Sequence, residues 1–341
     1  MTASDLFHPP VDVPQIQRGN WLALPAEDPL VIHIRENLWE QPLGSGEWRV
    51  ARLSQAAYLY NEAETGWSVV AKFYVVKTSN RSEFHAEREL ENTRRAASVY
   101  TEEEGIRGVK PYGMWRGALF LEYVDGLTLE DVIAVRRSRP GSMLPHISKV
   151  AQLLAHLHLA GSSRVEYSTD FDGQIAHLRK ILANLVEHGV LQDDPILRDG
   201  MQALIGRWEV DPGMRSYRPA LSHGDTTTTN FIFPWQGGVV AIDWERQHLA
   251  DPAADLGRLM AEISHSIKQH GGNVAEALPF VDHLVESYGF HLPPDWDMGA
   301  LIRRARFYQA LSTLRIARNG WVSRLDRLAL VAQAFALLSM V

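Results

Sequence analysis

Two short apolar runs near residue 230 are the feature that most constrains the fold of this chain. The segment that separates Phe231–Phe233 from Val239–Ile242 contains the pair Gly237-Gly238. Because glycine adopts positive φ at little cost, this pattern predicts a β-hairpin that turns at the glycine pair. The strands of a hairpin return side by side, so residues that flank its two ends can lie close together in space.

Three polar residues stand at the ends of this predicted hairpin. Asp225 precedes it, Asn230 follows five positions later at its start, and Asp243 follows the second strand after a further 13 positions. The hairpin would therefore bring two carboxylates and an amide together. This combination suits phosphoryl transfer, in which one carboxylate orients a hydroxyl and accepts its proton. The amide and the other carboxylate then hold Mg²⁺ against the phosphates.

The spacing of these residues also carries a family resemblance. His-Gly-Asp ending at Asp225, then Asn230, then Ile-Asp-x-Glu around Asp243 resembles the signature of the aminoglycoside phosphotransferase and choline kinase superfamily. The resemblance implies an α+β, two-lobed protein-kinase-like fold with a β-rich N-lobe and a mainly helical C-lobe. It implies an enzyme that uses ATP, or GTP, and Mg²⁺ to phosphorylate a hydroxyl of a small molecule. Asp225 would be the catalytic residue, and Asn230 and Asp243 the metal ligands.

The resemblance also gives supporting roles to residues around the hairpin. His223 either relays protons or, as the resemblance favours, bonds nearby backbone. Glu245 either contacts metal or substrate or supports the site. Asp255 lies in the first turn of a helix that begins at Asp251 or Pro252, and there it would buttress the catalytic loop.

Composition excludes several classes of protein. With 341 residues, 45% of them hydrophobic and 22% charged, the chain is typical of a globular protein with a sizeable core. A net charge of −7 without a Lys/Arg-rich block argues against nucleic acid as a partner, and the absence of cysteine excludes disulfides. No apolar run approaches the ~20 residues of a membrane span, and no signal peptide is visible. We therefore expect a cytoplasmic protein without a membrane partner, and leave its oligomeric state open.

The N-terminal part of the chain reads as an extended arm followed by strands. Residues 1–30 are predicted to form the arm, which short apolar pieces such as Trp21–Leu24 anchor to the first lobe. Strands are predicted at Val31–Ile34, Trp48–Leu53, Ala57–Tyr60, Trp67–Val76, Val109–Met114 and Ala118–Glu122. We place the N-lobe, which binds nucleotide, at residues 31–125 and the C-lobe, which is catalytic and binds substrate, at 126–341.

One of these strands carries a lysine that resembles the phosphate-binding lysine of kinases. Lys72 lies in the middle of an apolar strand, where an ammonium group is costly unless it is paired. The resemblance pairs it with nucleotide phosphates and with a glutamate of the helix predicted at Ser82–Tyr100. Glu87 is the first choice for this glutamate and Glu91 the second, while Lys77 is the competing lysine.

Two further segments of the N-lobe are implied to bind nucleotide. By resemblance, the phosphate loop falls at Ser54–Ala57, which has no glycine, so backbone N–H groups and the Ser54 hydroxyl would reach the phosphates. Gly44-Ser45-Gly46 is an alternative loop, although a plain turn is favoured there. The linker between the lobes would bind adenine through the Glu122 carbonyl and the Val124 N–H.

The C-lobe leaves the acceptor open. Helices are predicted at 148–160, 170–188, 195–209, 252–269, 273–288, 298–319 and 321–340. Acidic residues such as Glu262 and Asp282 are compatible with an aminoglycoside, but acidic surface is common. An amino alcohol, a sugar and another antibiotic stay open. Two other functional classes also stay open: a protein kinase and a catalytically silent nucleotide-binding protein.

Overall fold

The computed structural model describes residues 13, 15, 20–38, 46–74, 82–100, 105–162, 167–168, 171–192 and 194–340, with backbone only at 82, 83, 167 and 168. The helices of the described residues are α1 (Pro29–Asn37), α2 (Ser82–Ala97), α3 (Leu129–Ala134), α4 (Met143–Ala160), α5 (Phe171–Glu187), α6 (Pro195–Glu209), α7 (Pro252–Gln269), α8 (Val274–Phe290), α9 (Met298–Ala317) and α10 (Arg324–Leu338). The strands are β1 (Leu22–Leu24), β2 (Trp48–Arg52), β3 (Ala57–Glu62), β4 (Ser68–Phe73), β5 (Ile106–Gly108), β6 (Pro111–Trp115), β7 (Ala118–Glu122), β8 (Gly126–Thr128), β9 (Tyr167–Ser168), β10 (Ser216–Tyr217), β11 (Ala220–Ser222), β12 (Phe231–Pro234), β13 (Val239–Ala241) and β14 (His248–Ala250).

The chain divides into two compact units. Unit 1 comprises Met1–Ser98, Arg107–Asp125 and Ile242–Glu245, and unit 2 comprises Val99–Ile106, Gly126–Ala241 and Arg246–Val341. Unit 1 is built on a sheet and unit 2 mainly on helices, so the predicted α+β fold class is confirmed. The bounds that the sequence suggests for the arm and the two lobes stay a prediction.

The sheet of unit 1 has the strand order β1-β2-β3-β4-β7-β6, and every neighbouring pair is antiparallel. Its central strand, β4, places Val69, Ala71 and Phe73 in the core and alternate residues on the other face. At one edge, β1 pairs with β2, so the apolar piece at Leu22–Leu24 is anchored to this sheet as predicted.

The strand predicted at Val31–Ile34 is wrong, because these residues lie in α1. The carboxylate of Asp28 accepts hydrogen bonds from Leu30 N–H and Val31 N–H at 2.8 and 3.2 Å, and Pro29 stands at the first helical position. Leu30, Val31 and Ile34 are fully buried on one helical face. The helix therefore places Val31 and Ile34 on one buried face, whereas a strand would have placed them on opposite faces.

Unit 2 contains the predicted hairpin, formed by β12 and β13. Gly237 and Gly238 turn it with φ values of 100° and 87°, as the sequence indicates. On its other side β12 pairs with β8. Helices α7 and α9 pack against each other, and Leu256 on α7 and Leu314 on α9 are fully buried. None of the helices in the described part of the chain combines the length and apolar character that a membrane span requires.

Candidate active site

Lys72 is the centre of a cluster of charged side chains in unit 1. Because Ala71 and Phe73 point into the core, Lys72 projects from the opposite face of the sheet. Its Nζ donates to both carboxylate oxygens of Glu89, at 3.0 and 2.8 Å, and to Oδ1 of Asp243 at 2.7 Å. Burial alone would lower the pKa of Lys72, but the two carboxylates raise it above its ordinary value. The side chain is therefore held as a cation.

The prediction that Glu87 pairs with Lys72 is wrong, and so is the second choice, Glu91. Both glutamates lie on the exposed face of α2, whereas Glu89 shares the buried face with Ala86 and is 1% exposed. The sequence does contain a signal that favours Glu89 as the partner of Lys72. A charged residue in phase with the apolar positions of a helix must find a partner, because an unpaired buried charge is costly.

The segment around Asp243 is fixed to the same helix. Asp243 has φ of 66°, in the left-handed region that aspartate tolerates better than most residues. The next residue, Trp244, is fully buried, and its carbonyl accepts a hydrogen bond from Nδ2 of Asn92 at 3.0 Å. Helix α2 thus holds the backbone beside Asp243 as well as the ammonium group of Lys72.

Three carboxylates of unit 1 form a group that fits a divalent cation. Glu89, Asp243 and Glu245 each present one oxygen, and these oxygens lie within 4.8 Å of one another. Mg²⁺ prefers oxygen ligands of this kind. Asp243, with 32% of its side chain exposed, is more accessible than Glu89. Nζ of Lys72 forms ion pairs with the same three carboxylates, and it lies 3.7 Å from that of Glu245.

Burial also affects the protonation of this cluster. It raises the pKa of Glu89 to about 7, although the charge of Lys72 opposes the shift. The neighbouring carboxylates of Asp243 and Glu245 contribute in the same direction as burial. Glu89 therefore takes up a proton near neutral pH, which reduces the negative charge of the cluster.

Ser54 lies in the turn between β2 and β3, near Lys72. Ala57, at the start of β3, is the register partner of Lys72 on β4. The Ser54 hydroxyl accepts hydrogen bonds from Ala56 N–H and Ala57 N–H, and the N–H groups of Leu53 and Ser54 donate to the Ala57 carbonyl. These four N–H groups are thus used within the turn. The role of Ser54 at the phosphates stays a prediction, and Lys77 and the Gly44–Gly46 loop reach outside the described residues.

The predicted adenine-binding linker follows β7. Glu122 is the last residue of this strand, and its carboxylate pairs with the guanidinium of Arg107 at 2.6 and 2.7 Å. Val124 comes two residues later and is 8% exposed. The side chain of Glu122 is therefore structural, and the main-chain contacts expected of Glu122 and Val124 stay a prediction.

In unit 2, Asp255 organises the loop that joins β11 to β12. Its carboxylate accepts hydrogen bonds from His223 N–H at 2.6 Å and Gly224 N–H at 2.9 Å, and its carbonyl accepts one from the Thr226 hydroxyl at 2.7 Å. Nε2 of the buried His158 lies 3.2 Å from the same carboxylate. Burial would raise the pKa of Asp255, but these partners hold it below its ordinary value.

The same loop positions Asp225 and Asn230. Asp225 forms an ion pair with Arg258 and lies 3.8 Å from Nε of Arg246, and its N–H donates to Nδ1 of His223 at 3.3 Å. Nδ2 of Asn230 donates to the Asp225 carbonyl at 2.8 Å. This bond orients the amide, so its oxygen is the atom that a metal ion would use. His223 is fully buried, which favours a structural role for it.

The threonine run between Asp225 and Asn230 alternates between inward and outward positions. Thr226 and Thr228 are 0% and 4% exposed, whereas Thr227 and Thr229 are more exposed and contact each other through their hydroxyls at 3.1 Å. The Thr228 hydroxyl donates to the Glu130 carboxylate at 2.5 Å. Two of the four threonines therefore fix the loop rather than face a ligand.

The chain combines an α+β fold in two units, a strand lysine that is paired with a helix glutamate, and a loop that carries Asp225. This combination is typical of a kinase-like phosphotransferase. Solved structures show the same fold at low sequence identity. An ethanolamine kinase from Plasmodium vivax has a TM-score of 0.52 at 15% identity, over 86% of this chain and 82% of that one. The streptomycin–ATP ternary complex of APH(2")-IIa has a TM-score of 0.54 at 14% identity, over 94% and 97%. The GDP complex of aminoglycoside 2'-phosphotransferase-IIIa has a TM-score of 0.52 at 16% identity, over 91% and 96%.

The sequence itself places the chain in a family. The model of the phosphotransferase enzyme family (APH) matches residues 54–298, so the chain belongs to that family. The predicted membership of the aminoglycoside phosphotransferase and choline kinase superfamily is confirmed. A comparison with curated protein sequences found no match.

Proposed function

We propose that this protein transfers the terminal phosphoryl group of a nucleoside triphosphate to a hydroxyl group of a small molecule. The observation that carries the proposal is the Lys72 ammonium group, held at hydrogen-bond distance by Glu89 and Asp243. In phosphoryl transfer, a lysine fixed in this way binds the phosphates, and a nearby carboxylate binds the metal ion. Solved relatives hold either ATP or GDP, so both ATP and GTP are candidate donors.

The residues of the loop before β12 would act on the acceptor. Asp225 would orient the acceptor hydroxyl and accept its proton late, since the transition state of phosphoryl transfer is loose. The ion pair with Arg258 fixes the direction of this carboxylate. Positioning therefore contributes more than the basicity of Asp225.

The metal ion that the family implies is Mg²⁺, and the chain offers oxygen ligands for it. Asp243 and Asn230 would hold it, and Glu245 is a further candidate in unit 1. When bound, Mg²⁺ neutralises charge on the phosphates. Before it binds, the charge of Lys72 neutralises part of the same carboxylate group.

Replacement of Asp243 by asparagine tests the proposal. Asparagine also tolerates positive φ, so the backbone at this position is preserved while the charge is removed. We expect phosphoryl transfer from radiolabelled ATP or GTP to a panel of hydroxylated metabolites to fall by about a hundredfold or more. Asp199→Asn, an exposed site on α6, is the control and should retain activity.

The assay separates the proposal from the alternatives. Undiminished transfer in Asp243→Asn, with a folded protein by circular dichroism, would overturn the mechanism. Transfer to added protein but to none of the metabolites would indicate a protein kinase. Nucleotide binding without turnover on any acceptor would indicate a catalytically silent protein.

A further inference from the structure

The short 3₁₀ turn Thr228–Asn230 in unit 2 is tied to the loop that precedes it. The Asp225 carbonyl accepts hydrogen bonds from Thr227 N–H and from Nδ2 of Asn230, both at 2.8 Å. Asn230 N–H in turn donates to the Thr227 carbonyl at 3.1 Å. These bonds join residues of one loop, so they set the shape of the turn but do not by themselves set its position within unit 2.

Asp255 anchors only the first part of this loop. Its hydrogen bonds hold the backbone of His223 and Gly224 and the hydroxyl of Thr226. These bonds end at Thr226, two residues before the turn begins. The turn that contains Asn230 is therefore positioned by other contacts.

A carboxylate of α3 makes a direct contact with the turn. The hydroxyl of Thr228, a residue that is 4% exposed, donates to Oε2 of Glu130 at 2.5 Å. Oε1 of the same carboxylate lies 2.8 Å from Nε2 of His270, at the end of α7. Each oxygen has its own partner, so the direction of the carboxylate is fixed. A hydrogen bond to a charged acceptor is also stronger than one between neutral groups.

The backbone that carries Glu130 is held at the start of α3. Thr128 and Asp131 form a capping box, in which Asp131 N–H donates to the Thr128 hydroxyl at 3.1 Å and Thr128 N–H donates to the Asp131 carboxylate at 2.9 Å. Thr128 is also the register partner of Ile232 on β12, the strand that follows Asn230 directly. Glu130 therefore projects from backbone that is joined to the same hairpin as the turn.

The other end of α3 is anchored to the end of α7. Arg136, which is buried, donates from Nη1 to the Ile133 and His270 carbonyls at 3.1 and 3.2 Å. Its Nε binds the Glu276 carboxylate at 2.8 Å. The backbone of His270 is thus fixed relative to α3, and this keeps its ring in place beside Glu130.

We propose that Glu130 is a positioning residue of phosphoryl transfer: through the Thr228 hydroxyl it fixes the turn that presents the amide oxygen of Asn230 to Mg²⁺. The amide nitrogen is already used by the Asp225 carbonyl, so the oxygen is the atom left for the metal ion. Residues that orient a metal ligand without touching the metal change metal affinity by about ten- to a hundredfold when they are removed. This inference rests on the proposed function, in which Asn230 is a metal ligand.

The test measures how much Mg²⁺ strengthens nucleotide binding, and it requires no turnover. The probes are the non-hydrolysable β,γ-imido analogues of ATP and GTP, titrated calorimetrically into the full-length protein with Mg²⁺ and with EDTA. Thr228→Val removes the hydroxyl and keeps the shape of the side chain. We expect it to reduce the gain in affinity that Mg²⁺ gives by about tenfold or more. Binding in EDTA should change less than about twofold, because Asn230 acts through the metal ion.

Three further variants make the test specific for this contact. Thr228→Ser keeps the hydroxyl and should restore most of the gain. Glu130→Ala removes the acceptor, whose side chain is 25% exposed, and should reproduce Thr228→Val. The double variant should be no worse than either single one, because both changes break the same bond. Glu187→Ala, an exposed glutamate at the end of α5, is the control and should retain the full gain.

Several results would overturn the inference. One is an unchanged gain from Mg²⁺ in Thr228→Val and Glu130→Ala, and another is a Thr228→Ser variant that behaves like Thr228→Val. Equal losses of affinity with Mg²⁺ and with EDTA would also overturn it, because that pattern indicates general damage to the protein. Circular dichroism checks folding, and Glu130→Ala decides the question if Thr228→Val does not fold.

The same titrations separate this inference from the proposed function. If Mg²⁺ gives no gain in the wild type, the metal assignment of the proposed function fails, and the inference fails with it. If Asp243→Asn loses the gain while Thr228→Val and Glu130→Ala keep it, only the inference fails. A gain that depends on Thr228 and Glu130, without transfer to any acceptor, would support the positioning role and count against the proposed function.

Discussion

Replacement of Glu89 by glutamine tests the account of the charged cluster through the pH dependence of stability. Burial raises the pKa of Glu89 from 4.5 to about 7 in the folded protein. The folded chain therefore binds this proton more tightly than the unfolded chain. The stability that this proton contributes is fully present below about pH 4.5 and is lost as pH rises towards 7.

The size of the effect follows from the two pKa values. Between pH 5 and pH 8, titration of Glu89 should lower the free energy of unfolding of the wild type by about 2–3 kcal/mol. This corresponds to a factor on the order of 100 in the folding equilibrium. Glutamine does not titrate, so Glu89→Gln should gain stability relative to wild type by this amount over the same interval. Comparing the two pH values cancels effects of the substitution that do not depend on pH.

Urea denaturation at pH 5 and pH 8, followed by tryptophan fluorescence, measures this difference. Glu87→Gln is the matched control on the same helix, because Glu87 is exposed. Its free energy of unfolding relative to wild type should change by less than about 0.5 kcal/mol between the two pH values. A difference for Glu89→Gln that is the same at pH 5 and pH 8 would refute the reasoning, as would an equal pH effect in Glu87→Gln.

Two more substitutions test the loop that carries Asp225. Gly224 has φ of 78°, and a Cβ there would lie 2.3 Å from the Arg246 carbonyl oxygen. Gly224→Ala should therefore lower the free energy of unfolding, measured by urea denaturation, by about 2 kcal/mol or more and should abolish transfer. Wild-type stability with a folded loop in that variant would contradict this. Asp255 has a pKa below its ordinary value of 3.8, so its contribution is present above pH 3.8 and is lost as pH falls below it. Asp255→Asn should cost about 2 kcal/mol or more at pH 7 and less at pH 3, and an equal loss at both would contradict the assignment.

The parts of the fold that sequence predicts well are those whose signals are long or locally specified. The helix from Pro252 to Gln269 has both a capping Asp251 and an apolar face, and the hairpin at Phe231 has its glycine turn. The run Val31–Ile34, three apolar residues and His33, fits a strand or a helix equally well. Only the Asp28-Pro29 cap before them favours the helix, and that signal outweighs the apolar run.

The candidate site likewise has parts that the sequence predicts and parts that it does not. The order of Lys72, Asp225 and Asp243 follows from motif spacing. The identity of the glutamate that pairs with Lys72 does not follow from spacing. The i, i+4 spacing groups glutamates that are exposed, whereas the pairing depends on which face of α2 is buried. The inward threonines depend on partners far away in the sequence, Glu130 among them, which only the folded chain brings near.

Helix α2 makes two separate contacts with the charged cluster around Lys72, through residues less than one turn apart. Glu89 binds the ammonium group of Lys72, and Asn92 binds the backbone carbonyl next to Asp243. The two contacts share one rigid element, so a displacement of α2 would release both at the same time. Ordering of this cluster is therefore cooperative, because the ammonium group of Lys72 and the backbone beside Asp243 both depend on the position of α2. Under the proposed function, a ligand or modification that shifts α2 would change nucleotide and metal binding together.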